Sequence, residues 1–159
     1  MTLPEALRAL HAAGRIRAPY LPGMVVGAHY GGVARGSCRI VRVLPHDGTH
    51  LIEVVAGGEA FPSDGLFRFR ADRAEITGVL TDDPATVGCL LALYREAGLD
   101  NTALVEPDAL LWPAHYEGPW KAGRWVEDGI VWGPSARSEG EALAGALVAL
   151  AAVVVRRVS

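Results

Sequence analysis

The chain of 159 residues is poor in several things, and each shortage narrows what it can be. Two cysteines are too few for the disulfide-dense scaffold of a small secreted protein. A formal net charge of −3 argues against a sequence-blind nucleic-acid binder, which works by neutralising phosphates. The start, Met1-Thr2-Leu3-Pro4-Glu5, has no basic segment and no apolar run of the signal-peptide kind. The longest apolar run, Ala142 to Val155, contains a glycine and is shorter than the roughly 18–20 residues needed to span a bilayer. Arg156 and Arg157 follow it, but a buried or interface helix explains it better than a membrane span. A reducing cytoplasm is therefore the expected compartment, with no membrane and no nucleic acid as partner.

Lysine is also scarce. Lys121 is the single one, so arginine supplies nearly all the positive charge. Arginine presents a planar fork that suits carboxylate and phosphate better than the lysine point charge does. Hydrophobic residues make up 50% and charged residues 21%, an ordinary globular balance. At this length one domain over residues 1–159 is expected, burying about 68–70% of the unfolded surface.

Local signals then set out the elements. Thr2 and Glu5 have capping-box spacing, and Leu3, Leu7 and Leu10 form a stripe, predicting a helix from Leu3 to about Ala13. Residues 23 to 36 are glycine-rich and give no clear reading. Cys38–Leu44 and Leu51–Val55 flank Asp47-Gly48, a type I′ hairpin signal. That register sets Leu44 opposite Leu51, Val43 opposite Ile52 and Arg42 opposite Glu53. Leu66–Arg70 alternates as a strand, with Phe67 and Phe69 on one face and Arg68 and Arg70 on the other. Glu75–Leu80 reads as a further strand. Asp83-Pro84 opens a helix that ends at Gly98, with Val87, Leu90, Leu91 and Tyr94 as its buried stripe. Strands follow at Thr102–Glu106, Ala109–Trp112, Arg124–Glu127 and Ile130–Trp132. The last two are joined through Asp128-Gly129, which sets Trp125 opposite Trp132. Ser138 and Glu141 repeat the capping-box spacing before a last helix, with Leu143, Leu147, Leu150 and Val154 on one face. The sum is an α+β fold: antiparallel sheet with helices packed on one face, in the order α, β-meander, α, β-meander, α.

Catalytic motifs are missing. There is no Gly-x-Ser-x-Gly elbow, no Walker loop, and no local signature around Cys38 or Cys89. His46 and His50 bracket a turn instead of sharing a helix face, which removes the usual reason to read His-x3-His as a metal site. His11, on the first helix, reads as a surface or edge residue. Asp82-Asp83 and Glu127-Asp128 are acid pairs with structural duties as cap and turn. No metal, cofactor or catalytic residue is expected.

Two sets of residues carry a binding reading. Arg68 and Arg70, two apart on a strand, point the same way and with Arg73 can grip phosphate bidentately. All four tryptophans lie between positions 112 and 132. Trp112, Tyr116 and Trp120 sit near prolines and glycines and are the expected lining of a cleft, while Trp125 and Trp132 are the expected cross-strand core pair. Arginine forks and aromatic faces together suit a nucleotide. Residues 84 to 154 also have the α-β-β-β-α order of a double-stranded RNA-binding domain. However, residues 80 to 159 carry six Lys/Arg against eleven Asp/Glu, which is the wrong charge for that role.

Asp83 to Ala97, and Trp132 through Leu150 with its tryptophan-bearing strand and Glu-Ala-Leu helix, resemble segments of small uncharacterised proteins encoded by bacteriophages and prophages. The resemblance covers under half of the chain and transfers no functional residue. It implies a mobile-element origin and an accessory role in the host cytoplasm. The leading expectation is a non-enzymatic accessory protein of the counter-defence type. Its ligand is expected to be a small anion such as a nucleotide signal, held by Arg68, Arg70, Arg73, Trp112, Tyr116 and Trp120. The alternative is an inhibitor or assembly factor that binds a host protein through the Trp-rich surface or the apolar last helix. That helix also suggests a homo-oligomer. A small hydrolase acting through His46, Asp47 and His50 ranks third.

Overall fold

The computed structural model describes residues 1–30, 33–56, 66–98, 103–107 and 119–158. The chain runs α1 (Leu3–Ala12), β1 (Val25–Tyr30), β2 (Val33–His46), β3 (Thr49–Ala56), β4 (Leu66–Arg70), β5 (Ile76–Val79), α2 (Pro84–Ala97), β6 (Ala103–Pro107), β7 (Trp120–Val126), β8 (Gly129–Trp132) and α3 (Glu139–Val158). The fold is α+β, as the sequence predicts. The strands make two antiparallel sheets, one of five in the order β4-β3-β2-β1-β5 and one of three in the order β6-β7-β8. β5 does not extend the meander beyond β4 but returns to the other edge and pairs with β1. The expected strand at Ala109–Trp112 lies outside the described residues.

Local chemistry explains the element ends. In α1 the Thr2 hydroxyl accepts the Glu5 N–H and the Glu5 carboxylate accepts the Thr2 N–H, so the predicted capping box is complete. The first hairpin has the predicted register, with Leu44, Val43 and Arg42 opposite Leu51, Ile52 and Glu53. Its turn residues both have positive φ, 44° at Asp47 and 78° at Gly48, as a type I′ turn requires.

Two expectations need correction. The buried stripe of α2 is Thr86, Leu90, Leu93, Tyr94 and Ala97, while Val87 and Leu91 are only half-buried. The polar Thr86 goes inside because its hydroxyl accepts the Val25 N–H at 2.9 Å and donates to Asp83 at 3.1 Å. The second hairpin is two residues out of the expected register: Val126 pairs with Gly129, Trp125 with Ile130 and Gly123 with Trp132. The turn is therefore Glu127-Asp128. Gly123 explains the shift, since a Cβ there would stand 2.6 Å from the Trp132 ring. Trp132 lies over the one residue of β7 that leaves it room, and Trp125, expected in the core, is 55% exposed.

α3 packs against α1, α2, β6 and β7. Its Ala142, Leu143, Ala146, Leu147, Leu150, Ala151 and Val154 are buried in a core cluster that also takes in Leu7 and Leu10 of α1, Leu90 and Leu93 of α2, Val26 and Ile52. The apolar face that the sequence offered to an oligomer is thus buried within the chain. Among the described residues no helix is long and apolar enough to cross a membrane.

The seat of α3 is tight at its start. A Cβ on Gly140 would overlap the Thr81 carbonyl, a backbone group that has no room to yield. Gly140→Ala is expected to destabilise the protein by at least about 3 kcal/mol, the scale of severe overpacking. Urea unfolding would measure it. A loss within error of zero would show that α3 can shift away from Thr81.

Candidate functional site

A sheet alternates its side chains between faces, so residues two apart share a face. Ile40 is buried in the core, and plain alternation would send Arg42 there too. The β2–β3 pairing instead shifts register between Ile40, opposite Val54, and Arg42, opposite Glu53. This bulge turns Arg42 to the outer face of the sheet. Arg68 of β4 stands across from Glu53 on the other side. One row of three strands therefore reads Arg42, Glu53, Arg68.

The contacts in this row are close. Arg42 Nε donates to Glu53 Oε2 at 2.6 Å, and Arg68 Nε donates to Oε1 at 3.0 Å. The Glu53 side chain is 3% exposed, whereas those of Arg42 and Arg68 are 61% and 58% exposed. Hydrogen bonds from Arg42, then from Arg68, hold the Glu53 carboxyl below its usual pKa, so it stays ionised. The result is a buried carboxylate that fixes two guanidinium groups by one nitrogen each and leaves their ends at the surface, with a net charge of +1. Neighbouring rows place Leu44, Val55 and Leu66 beside them, all partly exposed.

The other predicted arginines lie outside this row, and Arg70 is fully engaged. Arg70 gives both Nε and Nη2 to Asp72, at 3.1 and 2.9 Å, and this pairing holds the Asp72 carboxyl low. Arg73 stands 4.0 Å from Glu75. Of the three arginines singled out by sequence, only Arg68 shares the buried carboxylate, and its companion is Arg42, which the sequence reading used only as a hairpin pair.

Trp112 and Tyr116 lie outside the described residues. Trp120 is on β7, in the other sheet from the arginines. It lines a cavity of about 430 Å³ that also includes Arg137, so an aromatic face and an arginine do meet there. The same wall carries Asp82 and Glu139, and the Ser138 hydroxyl caps the Glu141 N–H of α3. Those acids repel a phosphate where the helix end would otherwise attract one.

His46 and His50 pair with Thr49 and Pro45, adjacent rungs whose side chains point to opposite faces. The turn therefore separates the expected pair. His46 stays outside, 3.5 Å from its neighbour Asp47. His50 turns inward and meets His11 edge-on, with ring centroids 5.1 Å apart. Burial, then the neighbouring His11, pushes the His50 pKa down, favouring neutral imidazole. His11 Nδ1 lies 3.1 Å from the Ile16 carbonyl, which can only accept, so that nitrogen carries the proton. Sequence reasoning left His11 at the surface; its contact with His50 depends on where α1 packs, and no local signal marks it.

Burial raises the thiol pKa of both Cys38 and Cys89, which disfavours the reactive thiolate. Among the described residues no group of three or more His, Cys, Asp or Glu is arranged to hold a metal ion. The chain matches no family model, no curated protein and no solved structure.

The two titrating centres give a pH signature. His50 has a depressed pKa, so its contribution to stability is complete above the unfolded value of about 6.5 and is lost as pH falls through the folded value. Glu53 is depressed as well; its contribution is complete above about 4.3 and is lost further into acid. Thermal melts from about pH 8 to about pH 3 should fall in two stages. His50→Phe should flatten the first stage and Glu53→Gln the second. Unchanged profiles in both variants would show that neither group is linked to folding.

Proposed function

We propose that the chain is a binding protein for a small phosphate-bearing ligand of nucleotide type, which docks on the outer face of β2, β3 and β4. The observation that carries this reading is the pair of exposed guanidinium groups, Arg42 and Arg68, set on either side of the buried Glu53 carboxylate. A carboxylate sealed beneath two arginines on a solvent-facing sheet costs desolvation, and it leaves the forks ordered before any ligand arrives. A phosphate bridging the two ends takes charge-assisted hydrogen bonds from both. Leu44, Val55 and Leu66 supply apolar surface beside it for the rest of the ligand. An accessory role for a bacteriophage or prophage, implied by the resemblance of the second half, would make a host nucleotide signal the natural ligand.

The same face favours a second reading, a host-protein partner. Leu44, Val55 and Leu66 are each between 37% and 40% exposed around the arginines, and a peptide of alternating acidic and apolar residues complements that pattern.

Titration of the labelled protein with AMP and with inorganic phosphate separates the readings. Shifts at the Arg42 and Arg68 Nε–H signals are expected, weakening as salt rises. Arg42→Ala and Arg68→Ala should each weaken AMP binding about 10-fold or more, the effect of losing one charge-assisted contact. Arg70→Ala and Arg73→Ala should leave it unchanged, since the Arg70 fork is held by Asp72 and Arg73 lies outside the Arg42–Glu53–Arg68 row. Equal loss in all four variants would point to general charge and overturn the assignment. Leu44→Asn, which adds no charge, should leave binding of inorganic phosphate intact in the first reading, since phosphate alone does not use the apolar neighbours, and should abolish partner binding in the second.

A further inference from the structure

A cavity of about 670 Å³ lies where α1, Pro19, the hairpin turn Asp47–Thr49 and the end of β4 meet. That volume is in the range of small-molecule sites. It is formed by elements far apart in sequence, and it is separate from the Arg42–Glu53–Arg68 row.

Arg8 of α1 lines this cavity. Its Nη1 is buried with no hydrogen-bond partner. The Tyr20 hydroxyl is also buried without a hydrogen-bond partner; burial raises its pKa, and the nearby Arg8 cation opposes that shift only in part. The acid one turn earlier on the helix, Glu5, already accepts the Thr2 N–H. Arg8 is a half-buried cation in the cavity wall with no carboxylate at salt-bridge distance among the described residues, and an anion in the cavity would offset the cost of its buried, unpartnered nitrogen.

The opposite side carries negative charge. Asp72 is held by the Arg70 fork, whereas Asp47, 80% exposed and touched among the described residues only by its neighbour His46 at 3.5 Å, keeps capacity for a ligand. Two acids at the rim repel a polyanion, and a simple cation leaves Arg8 unsatisfied. Ala9, Ala12, Pro19 and Ala71 add apolar surface to a lining that also includes His11 and Thr49. We propose that this cavity binds a small zwitterion with an apolar body, an amino acid or an ω-amino carboxylate, with its carboxylate on Arg8 and its ammonium towards Asp47.

Calorimetric titration of the full chain with 6-aminohexanoate, L-leucine, hexanoate and hexylammonium tests the proposal. At least one of the two zwitterions should bind saturably, and hexanoate and hexylammonium should each bind about 10-fold more weakly or not at all. Arg8→Gln and Asp47→Asn should each weaken the zwitterion about 10-fold. Asparagine tolerates the left-handed backbone at position 47, so the second variant keeps its fold even if the first loses stability. Arg68→Ala should leave zwitterion binding unchanged, so failure of this site and failure of the phosphate face are read independently. Saturable binding by neither zwitterion, equal affinity for hexanoate, or full affinity in both cavity variants would overturn the proposal.

Discussion

Burial of one face of α3 is the constraint on which the rest of the structure depends. The small sheet, α1 and α2 all pack on this helix, and its alanines and leucines lie at the spacing that gives one continuous apolar side. Alternating small and large residues there let strand β7 and two helices approach one axis closely. Without that face, the three-stranded sheet would have little apolar surface to cover it. The Gly140 contact with Thr81 fixes where the helix begins, and thus the level at which each of its side chains meets its neighbours.

Arginine richness has an architectural role here. Arg39, Arg42, Arg68 and Arg70 all donate to carboxylates: Asp83, Glu53 and Asp72. The property that suits arginine to phosphate, a flat fork of donors, suits it equally to carboxylates of the same chain. What distinguishes Arg42 and Arg68 is their sharing of one acid. A single carboxylate cannot absorb two forks, so each keeps an outward end and a positive charge remains. The bulge at Val41 makes this possible by reversing the face of β2 between Ile40 and Arg42. The one lysine, Lys121, has a different task, lying 4.0 Å from the centre of the Trp132 ring.

The chain therefore keeps two charged surfaces apart. The outer face of the large sheet carries a net positive row with aliphatic neighbours. The seam between α1 and the hairpin turn carries both signs around an apolar floor, with the His11–His50 contact beside it on the inner side of the hairpin. The proposed phosphate face and the proposed zwitterion cavity are thereby kept apart. A chain with one shared charged patch would couple them through simple electrostatics.

The sequence by itself determined what depends on neighbours a few residues away: three helices, the first hairpin with the register that sets Arg42 opposite Glu53, and the strand at Leu66–Arg70. Capping, turn chirality and side-chain alternation all act within about ten residues, so they are written locally. Tertiary structure alone decided the rest. Arg68 reaches Glu53 because β4 pairs with β3, β5 crosses to β1, Thr86 turns inward to meet a strand N–H, and His50 leaves His46 for His11. Even the second hairpin, which looked local, was set by where the Trp132 ring could lie, and only the glycine at position 123 gave it room. Each of these outcomes is a contest for space or for a hydrogen-bond partner between distant segments. Such contests are settled by packing, which no local pattern encodes.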